Sequence, residues 1–491
     1  MNVTEKYDVT NPLSIQKYGQ KLIGKTFMDV INDSKLDEGI KVDTIAQYGN
    51  PKRKGGLGNL LEELHFGYKA NSDQEPDFPE AGVELKVTPY EIRKNGSYSA
   101  GERLVITMIS YQQAVEEDFY ASHAYKKLQL TLLIYYLRNR ALPRMEYPID
   151  FVTLFSPPEE DLKIIQQDYN KIMAKVKSGK AHELSEGDTM YLGACTKGSN
   201  SIKSNVPQGF YAPEAKARKR AFCFKQSYMT YILNKYIRED VKTYESILNS
   251  VHDIENLTFE ELIIEKINKH QGKTDQQLMI EYDIQTRSKS LWSSLSYRML
   301  GVKSSRVEEF EKANIEVKTI CLNENGKMKE SISFPSITFK ELAQEEWEDS
   351  KFYNDLSSKR YLFVIFKKQG THYKLKGCQL WNITNEDLEE ARNGWENIQK
   401  VVQNGVKLEK NFLKNGIDFT IKNNFPKKEA NRIIHIRPHT SKRYYILGDG
   451  EKIGDNPSYG DTLPDGRVMT KQCFWLNNSY ILSQLDENLK R

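Results

Sequence analysis

Three polar residues in one short stretch have the types and spacing for phosphodiester chemistry. They are Asp77, Glu84 and Lys86, within Glu75-Pro-Asp-Phe-Pro-Glu-Ala-Gly-Val-Glu-Leu-Lys-Val-Thr88. Two converging carboxylates supply the oxygen ligands that a hard divalent cation such as magnesium prefers. A lysine beside them positions or polarises the attacking water, while the metal neutralises developing charge and generates the nucleophile. An acid-x-Lys triplet alone is common, and its bland counterpart is a solvated edge strand with an incidental Glu–Lys pair. Pro76-Asp77 upstream makes the pattern more specific.

The flanking sequence says how the three are brought together. Val83, Leu85 and Val87 alternate with Glu84 and Lys86, a period of two that predicts a strand with one apolar and one functional face. Pro76 and Pro79 keep the approach extended and irregular, so Asp77 folds back beside Glu84. Upstream, Leu57 to Gly67 predicts an amphipathic helix closed by glycine. On it Glu63 is the expected third carboxylate, and Glu62 the solvated neighbour. Lys94-Asn95-Gly96 predicts a hairpin turn, and 103–110 the next strand. The apolar run 128–137 predicts a buried central strand with Lys126 and Lys127 at its entrance.

Farther along, 157–187 predicts a charged helical segment, and 191–200 a strand running into a polar loop. Residues 215–225 are the densest basic patch and are interleaved with aromatics. With Lys225 at its end and Phe222, Phe224 and Tyr228 around it, the patch is a candidate for contact with a DNA backbone. The loop 51–56 is also basic, and 237–260 is a polar connection. Gly19-Gln-Lys-Leu-Ile-Gly24-Lys25-Thr26 matches a phosphate-loop pattern, but no hydrophobic strand precedes it. Gly24-Lys25-Thr26 is better read as the end of one helix and the start of another.

A chain of 491 residues implies two or three domains. The net charge of +4 is compatible with nucleic acid without demanding it. Five scattered cysteines, none in C-x-x-C, argue against a zinc ribbon or a disulfide framework and fit a reducing cytoplasm. No signal peptide and no membrane-spanning run is visible.

The second half repeats the first in order. Gly24-Lys25-Thr26 returns as Gly272-Lys273-Thr274, and 75–86 as 307–318 without a gap. Asn95-Gly96 returns as Asn325-Gly326, and 219–228 as 471–480. Chance accounts for one such match, hardly for four in sequence. Domains are therefore expected at 1–240 and 241–491, as a pseudo-dimer. In the second copy Glu309 stands for Asp77 and Tyr297 for Glu63, while Ser357 falls at the position of Lys127. Glu316 and Lys318 persist. A repeated fold with a degraded metal site is the expectation.

Pro76-Asp77, Glu84-Leu-Lys86, Leu60-Leu61-Glu62-Glu63 and Ser122-His-Ala-Tyr-Lys-Lys127-Leu resemble MutH. They are more similar still to the two-domain, GATC-cleaving type II restriction endonucleases related to it. The likeness extends over 181–187, 217–222 and Arg437-Pro-His-Thr440. It implies an α/β fold of two tandem restriction-endonuclease-like domains, each a central mixed sheet flanked by helices. It also implies Mg2+ held by Asp77 and Glu84 with Glu63 in support, Lys86 orienting water, and Lys127 as a further active-site lysine with Lys126 as its rival. The base-reading loop of MutH carries Arg-Pro-Lys; here Cys195-Thr196-Lys197 stands there, so only Lys197 carries over. Arg437-Pro438-His439 holds the corresponding place in the second copy and suits DNA reading without cleavage. The implied partner is double-stranded DNA containing GATC, with two sites per complex for an effector domain, bound by a monomer or a DNA-induced dimer. A mismatch-repair nicking enzyme and a non-cleaving DNA-binding regulator are the alternatives.

Overall fold

The alternation at Val83–Val87 builds a central strand, as its period requires. The computed structural model describes all residues except 1–5, 51–54, 70–74, 94, 113–117, 198–204, 240–243, 286, 287, 289 and 414–417. Most of the basic loop at 51–56, Lys94 of the hairpin turn and the loop beyond Lys197 thus lie outside the described residues. Four helices come first: α1 (Pro12–Gly19), α2 (Phe27–Asn32), α3 (Glu38–Gly49) and α4 (Gly56–Leu60), the last running on through a π-helical turn at Leu61–Phe66. Thr26 caps α2 in a reciprocal box with Asp29, and Gly24 takes φ +83°. The glycine-lysine-threonine motif is thus helix punctuation, as its context predicted.

Strand β1 (Glu84–Ile92) turns through Asn95-Gly96 into β2 (Tyr98–Ala100), with Gly96 at φ +79°, a conformation glycine adopts at little cost. After β3 (Leu104–Met108) come α5 (His123–Leu128), β4 (Thr131–Leu137), β5 (Ile149–Phe155), α6 (Glu159–Lys177), β6 (Leu192–Thr196), the hairpin β7 (Asn205–Gln208) and β8 (Ala212–Arg218), β9 (Arg220–Phe224) and α7 (Gln226–Tyr231). The main sheet has the order β2-β1-β4-β5, mixed because β1 and β4 run parallel while the other pairs are antiparallel. A second sheet has the order β3-β9-β6. Leu85, Leu132, Ile134 and Ile149 bury one face of the main sheet against Ile15, Phe27, Leu60 and Phe66 of the helices. Each such side chain contributes about 1.5–3 kcal/mol.

The second half follows with α8 (Phe259–Asn268), α9 (Asp275–Glu281), α10 (Leu291–Met299), α11 (Glu308–Ala313), β10 (Ile315–Leu322), β11 (Ile332–Ser336), α12 (Phe339–Leu342), α13 (Lys351–Ser358), β12 (Arg360–Gln369), β13 (His372–Trp381) and α14 (Asn385–Gln403). Next are β14 (Leu408–Phe412) paired with β15 (Phe419–Asn423), β16 (Ile434–Pro438), a small sheet of β17 (Tyr445–Ile446), β18 (Lys452–Ile453), β19 (Gly460–Thr462) and β20 (Val468–Thr470), then β21 (Gln472–Leu476) and α15 (Asn478–Gln484).

The repeat is structural as well as sequential. The sheet β10-β12-β13 matches β1-β4-β5, and β11-β21-β16 matches β3-β9-β6. Thr274 caps α9 as Thr26 caps α2, and the Tyr480 hydroxyl donates to Asp387 as Tyr228 donates to Asp161. Two mixed-sheet domains in tandem, flanked by helices, are what the chain forms.

The compact units do not divide at 240/241. The first comprises Met1–Leu262 together with Arg306–Ile315, and the second Ile263–Ser305 with Glu316–Arg491. The polar stretch ahead of Leu262 packs on α6: Gln167 Nε2 donates to the carbonyls of Ile254 and Leu257, and Lys171 pairs with Glu260 at 2.8 Å. Segment 306–315 is anchored in the first unit by Lys312, whose Nζ lies 2.7 Å from Asp161 with both side chains buried. No described helix is long and apolar enough to cross a membrane, and all five cysteines are free.

Candidate active site

Glu84 is the first residue of β1 and is 1% exposed. Lys86, two residues on and therefore on the same face, donates from Nζ to Glu84 Oε1 at 2.6 Å. The parallel register pairs Glu84 with Thr131, the first residue of β4. The last turn of α5 therefore ends beside Glu84, and Lys127 Nζ stands 3.3 Å from its carboxylate. Lys126 points elsewhere, to Glu75 at 2.9 Å. Of the two lysines, Lys127 is the one beside Glu84.

Asp77 arrives by the expected fold-back. The backbones of Phe78 and Val83 bridge, and Asp77 Oδ2 accepts from the Leu85 amide at 2.9 Å. Burial pushes the Asp77 carboxyl above its ordinary range, and the neighbouring Glu84 charge adds to this against the pull of Lys86. Two like charges held so close are costly, and a cation between them relieves the cost.

The carboxylate on which the charges of Asp77 and Glu84 act is Glu62, not the expected Glu63. The Glu63 side chain accepts from the Tyr48 hydroxyl at 2.7 Å. Glu62 faces the pair: burial raises its carboxyl to about 7, and Asp77 and Glu84 contribute in the same direction against Lys86. Successive residues of a helical turn project in different directions, so Glu62 and Glu63 have different partners. Tyr68 was also missed. Its buried hydroxyl has no hydrogen-bond partner among the described residues, and the negative charges of Asp77, Glu62 and Glu84 reach it. Neither residue carries a sequence signal beyond proximity to Asp77.

Lys225 is not at a DNA surface. It is 1% exposed, and its Nζ donates to the Thr189 carbonyl near Asp168. The surrounding patch is split by strand alternation and burial: Lys216, Arg218 and Lys219 are exposed, while Arg220, Phe222, Phe224 and Tyr228 are interior. Lys197 follows β6 and is half-buried, its amide bonded to the Lys219 carbonyl. Arg437 and His439 are exposed at the end of β16, and the His439 amide bonds to the Lys471 carbonyl in the same register.

The repeat of the acidic cluster is dismantled rather than merely altered. Glu309 belongs to the first unit, where its carboxylate accepts from Ser246 Oγ and from the amides of Ile247 and Leu248. In the second unit, Glu316 is paired with Lys318 at 2.5 Å and Lys359 at 2.9 Å. Burial pushes the Glu316 carboxyl up, but the two lysines outweigh it and hold it below its ordinary value. The counterpart of Lys127 is thus Lys359, not Ser357: it stands 43 residues after Glu316, the same separation as Lys127 from Glu84. The residue in phase with Glu62 is Ser296, which bonds to the Trp292 carbonyl.

The family model of the DNA mismatch repair enzyme MutH matches this chain twice, at residues 66–168 and 300–393. The type II restriction enzyme Sau3AI of Staphylococcus aureus is 36% identical over 466 residues, covering 89% of this chain and 93% of its own. The chain belongs to the MutH-like type II restriction endonucleases. Within this family of nucleases, single-domain likeness is also found: MutH of Shewanella woodyi is 31% identical over 176 residues, 33% of this chain and 74% of that protein. MutH of Shigella flexneri is 24% identical over 204 residues, 41% of this chain and 86% of its own. For a MutH-like endonuclease, the double match agrees with the paired sheets described above.

Proposed function

We propose that this restriction endonuclease recognises duplex GATC and hydrolyses both strands in a magnesium-dependent reaction, with the second unit binding DNA as an effector. The observation that carries the catalytic reading is the convergence of Asp77, Glu84, Lys86 and Lys127 at one end of β1. The donor set suits magnesium. Asp77 and Glu84 offer only oxygen; Glu84 Oε2 is buried and accepts no hydrogen bond, its neighbour being the Lys127 ammonium at 3.3 Å. Among the described residues no group of three or more His, Cys, Asp or Glu is placed to hold a metal ion, so the reading rests on the two carboxylates Asp77 and Glu84.

Asp77 and Glu84 would hold the ion, with Glu62 in support. Bound there, it would stabilise charge on the phosphate and lower the pKa of water. Lys86 orients the attacking water, whose oxygen bonds to phosphorus as a P–O ester bond breaks; the water gives up a proton to solvent and the leaving oxygen takes one from solvent. Lys127 secures the Glu84 carboxylate from the other side and adds positive charge where the phosphate must approach. Lys197 reads a base edge, and Arg437 with His439 does so in the second unit. Lys197 in the first unit and Arg437-Pro438 in the second match the base-reading loop of MutH, which supports the GATC assignment. Loss of the Asp77 counterpart from the second unit supports binding there without cleavage. Cytoplasmic action on DNA by a monomer fits a chain that carries both domains itself.

A plasmid carrying GATC sites, digested with magnesium and then sequenced at its ends, tests this. Double-strand breaks at GATC are expected. Nicks alone would favour a mismatch-repair type of activity, and no cleavage would favour a DNA-binding regulator.

A further inference from the structure

One face of the sheet β11-β21-β16, open to solvent at Arg437 and His439 and closed over His435 and Cys473, carries a ladder of side chains that its twin in the first unit lacks. His435, Arg437 and His439 alternate with Trp475 and Cys473 of the neighbouring strand, in a register that pairs Arg437 with Cys473 and His435 with Trp475. Arg437 lies diagonally over Trp475, its guanidinium carbon 3.6 Å from the ring centroid. His439 Nδ1 lies 3.1 Å from Cys473 Sγ. The opposite face of the same strands, with Ile434, Ile436, Phe474 and Leu476, is core. In the first unit the corresponding register places Cys195 where Arg437 stands and Cys223 where Trp475 stands. There the two thiols are buried with Ala221. The cation and its ring are thus present together in one unit and absent together from the other.

Arg437 is exposed, and among the described residues no carboxylate pairs with it. An arginine on a flat surface ordinarily samples many rotamers, and ordering it costs entropy on binding. Here the aromatic face removes much of that cost, because a guanidinium stacks favourably on a tryptophan ring. We propose that Trp475 is a specificity-positioning residue of the second unit: it holds the Arg437 fork in one plane, ready for the O6 and N7 edge of a guanine in the effector duplex. This rests on the reading that the second unit binds GATC. It adds that the two units read guanine differently, by a pre-stacked arginine in the second and by the ammonium of Lys197 in the first.

The test uses the full-length enzyme, a plasmid with one GATC site and a short GATC duplex added in trans. The measurement is the duplex concentration giving half-maximal stimulation of cleavage. For wild type, replacing guanine in the duplex with 7-deazaguanine, which lacks the N7 acceptor, is expected to raise that concentration at least about fivefold. Trp475→Leu is expected to raise it about tenfold with the normal duplex. It should also shrink the 7-deazaguanine penalty to less than about twofold, as expected when the N7 contact is already lost. Trp475→Phe, which retains an aromatic face, should restore most of the penalty. Arg437→Met leaves the ring and the strand untouched but removes every donor, so it must also abolish the penalty. A full 7-deazaguanine penalty in Trp475→Leu or in Arg437→Met overturns the proposal. Absence of stimulation in wild type by any duplex overturns the effector reading itself, and the proposal with it.

Discussion

Replacing Glu62 by glutamine separates the two adjacent glutamates most sharply. In the metal-free protein, burial and then Asp77 hold the Glu62 carboxyl at about 7, against an ordinary 4.5. Ionising a carboxyl held one pH unit above its ordinary value costs about 1.4 kcal/mol. For Glu62 this would be roughly 3 kcal/mol, and its partial exposure reduces the figure to about 1–2 kcal/mol. The sign follows from linkage. Below the unfolded value near 4.5 the group is protonated in both states and costs nothing. As pH rises through about 7 the folded state must carry the charge, and the full penalty is present above that. Glu62→Gln removes the penalty. Urea denaturation with a chelator present should show the variant within a few tenths of a kcal/mol of wild type at pH 4.5, and about 1–2 kcal/mol more stable at pH 8. With magnesium, the same variant should cleave about 10–100-fold more slowly, as expected for loss of a supporting carboxylate. Glu63→Gln keeps an acceptor for the Tyr48 hydroxyl and should do neither. The reasoning is refuted if the stability difference is the same at both pH values, or if Glu63→Gln impairs cleavage more than Glu62→Gln.

Asp77→Ala and Glu84→Ala should each abolish cleavage while duplex binding persists or tightens, because removing a carboxylate lowers repulsion of phosphate; rapid cutting by either variant would remove them from the metal site. Lys197→Ala should cost about 1–3 kcal/mol of discrimination between GATC and scrambled duplexes in a binding assay, whereas equal weakening on both would assign it to phosphate. Lys225→Met should cost about 3–5 kcal/mol of stability by calorimetry or denaturant melts, with little change in the salt dependence of DNA binding once folded, because its ammonium is interior. A plasmid with two GATC sites should be cut faster than one with a single site, and a short GATC duplex should rescue the latter. Equal rates without rescue would make the second unit a clamp on the same duplex, since linkage demands preferential binding to the cleaving state.

Much of the architecture is written locally. Alternation alone puts Glu84 and Lys86 on one face of a strand, because side chains two apart must share a face. Asn95-Gly96 makes its hairpin, Gly24-Lys25-Thr26 closes one helix and caps the next, and the ordered repeat yields paired sheets of the same strand order. What the chain alone could not decide is the phase and burial of neighbouring residues. Glu62 against Glu63, and Lys126 against Lys127, differ by one step of a helix, and the direction of each step is set by what the helix packs on. Lys225 belongs to a basic run, yet β9 carries it into the interior beside Thr189. Glu309 aligns with Asp77 without a gap, but segment 306–315 folds into the first unit, where its carboxylate serves backbone amides. Lys359, by contrast, stands 43 residues after Glu316 as Lys127 does after Glu84, so this cation is legible from spacing alone.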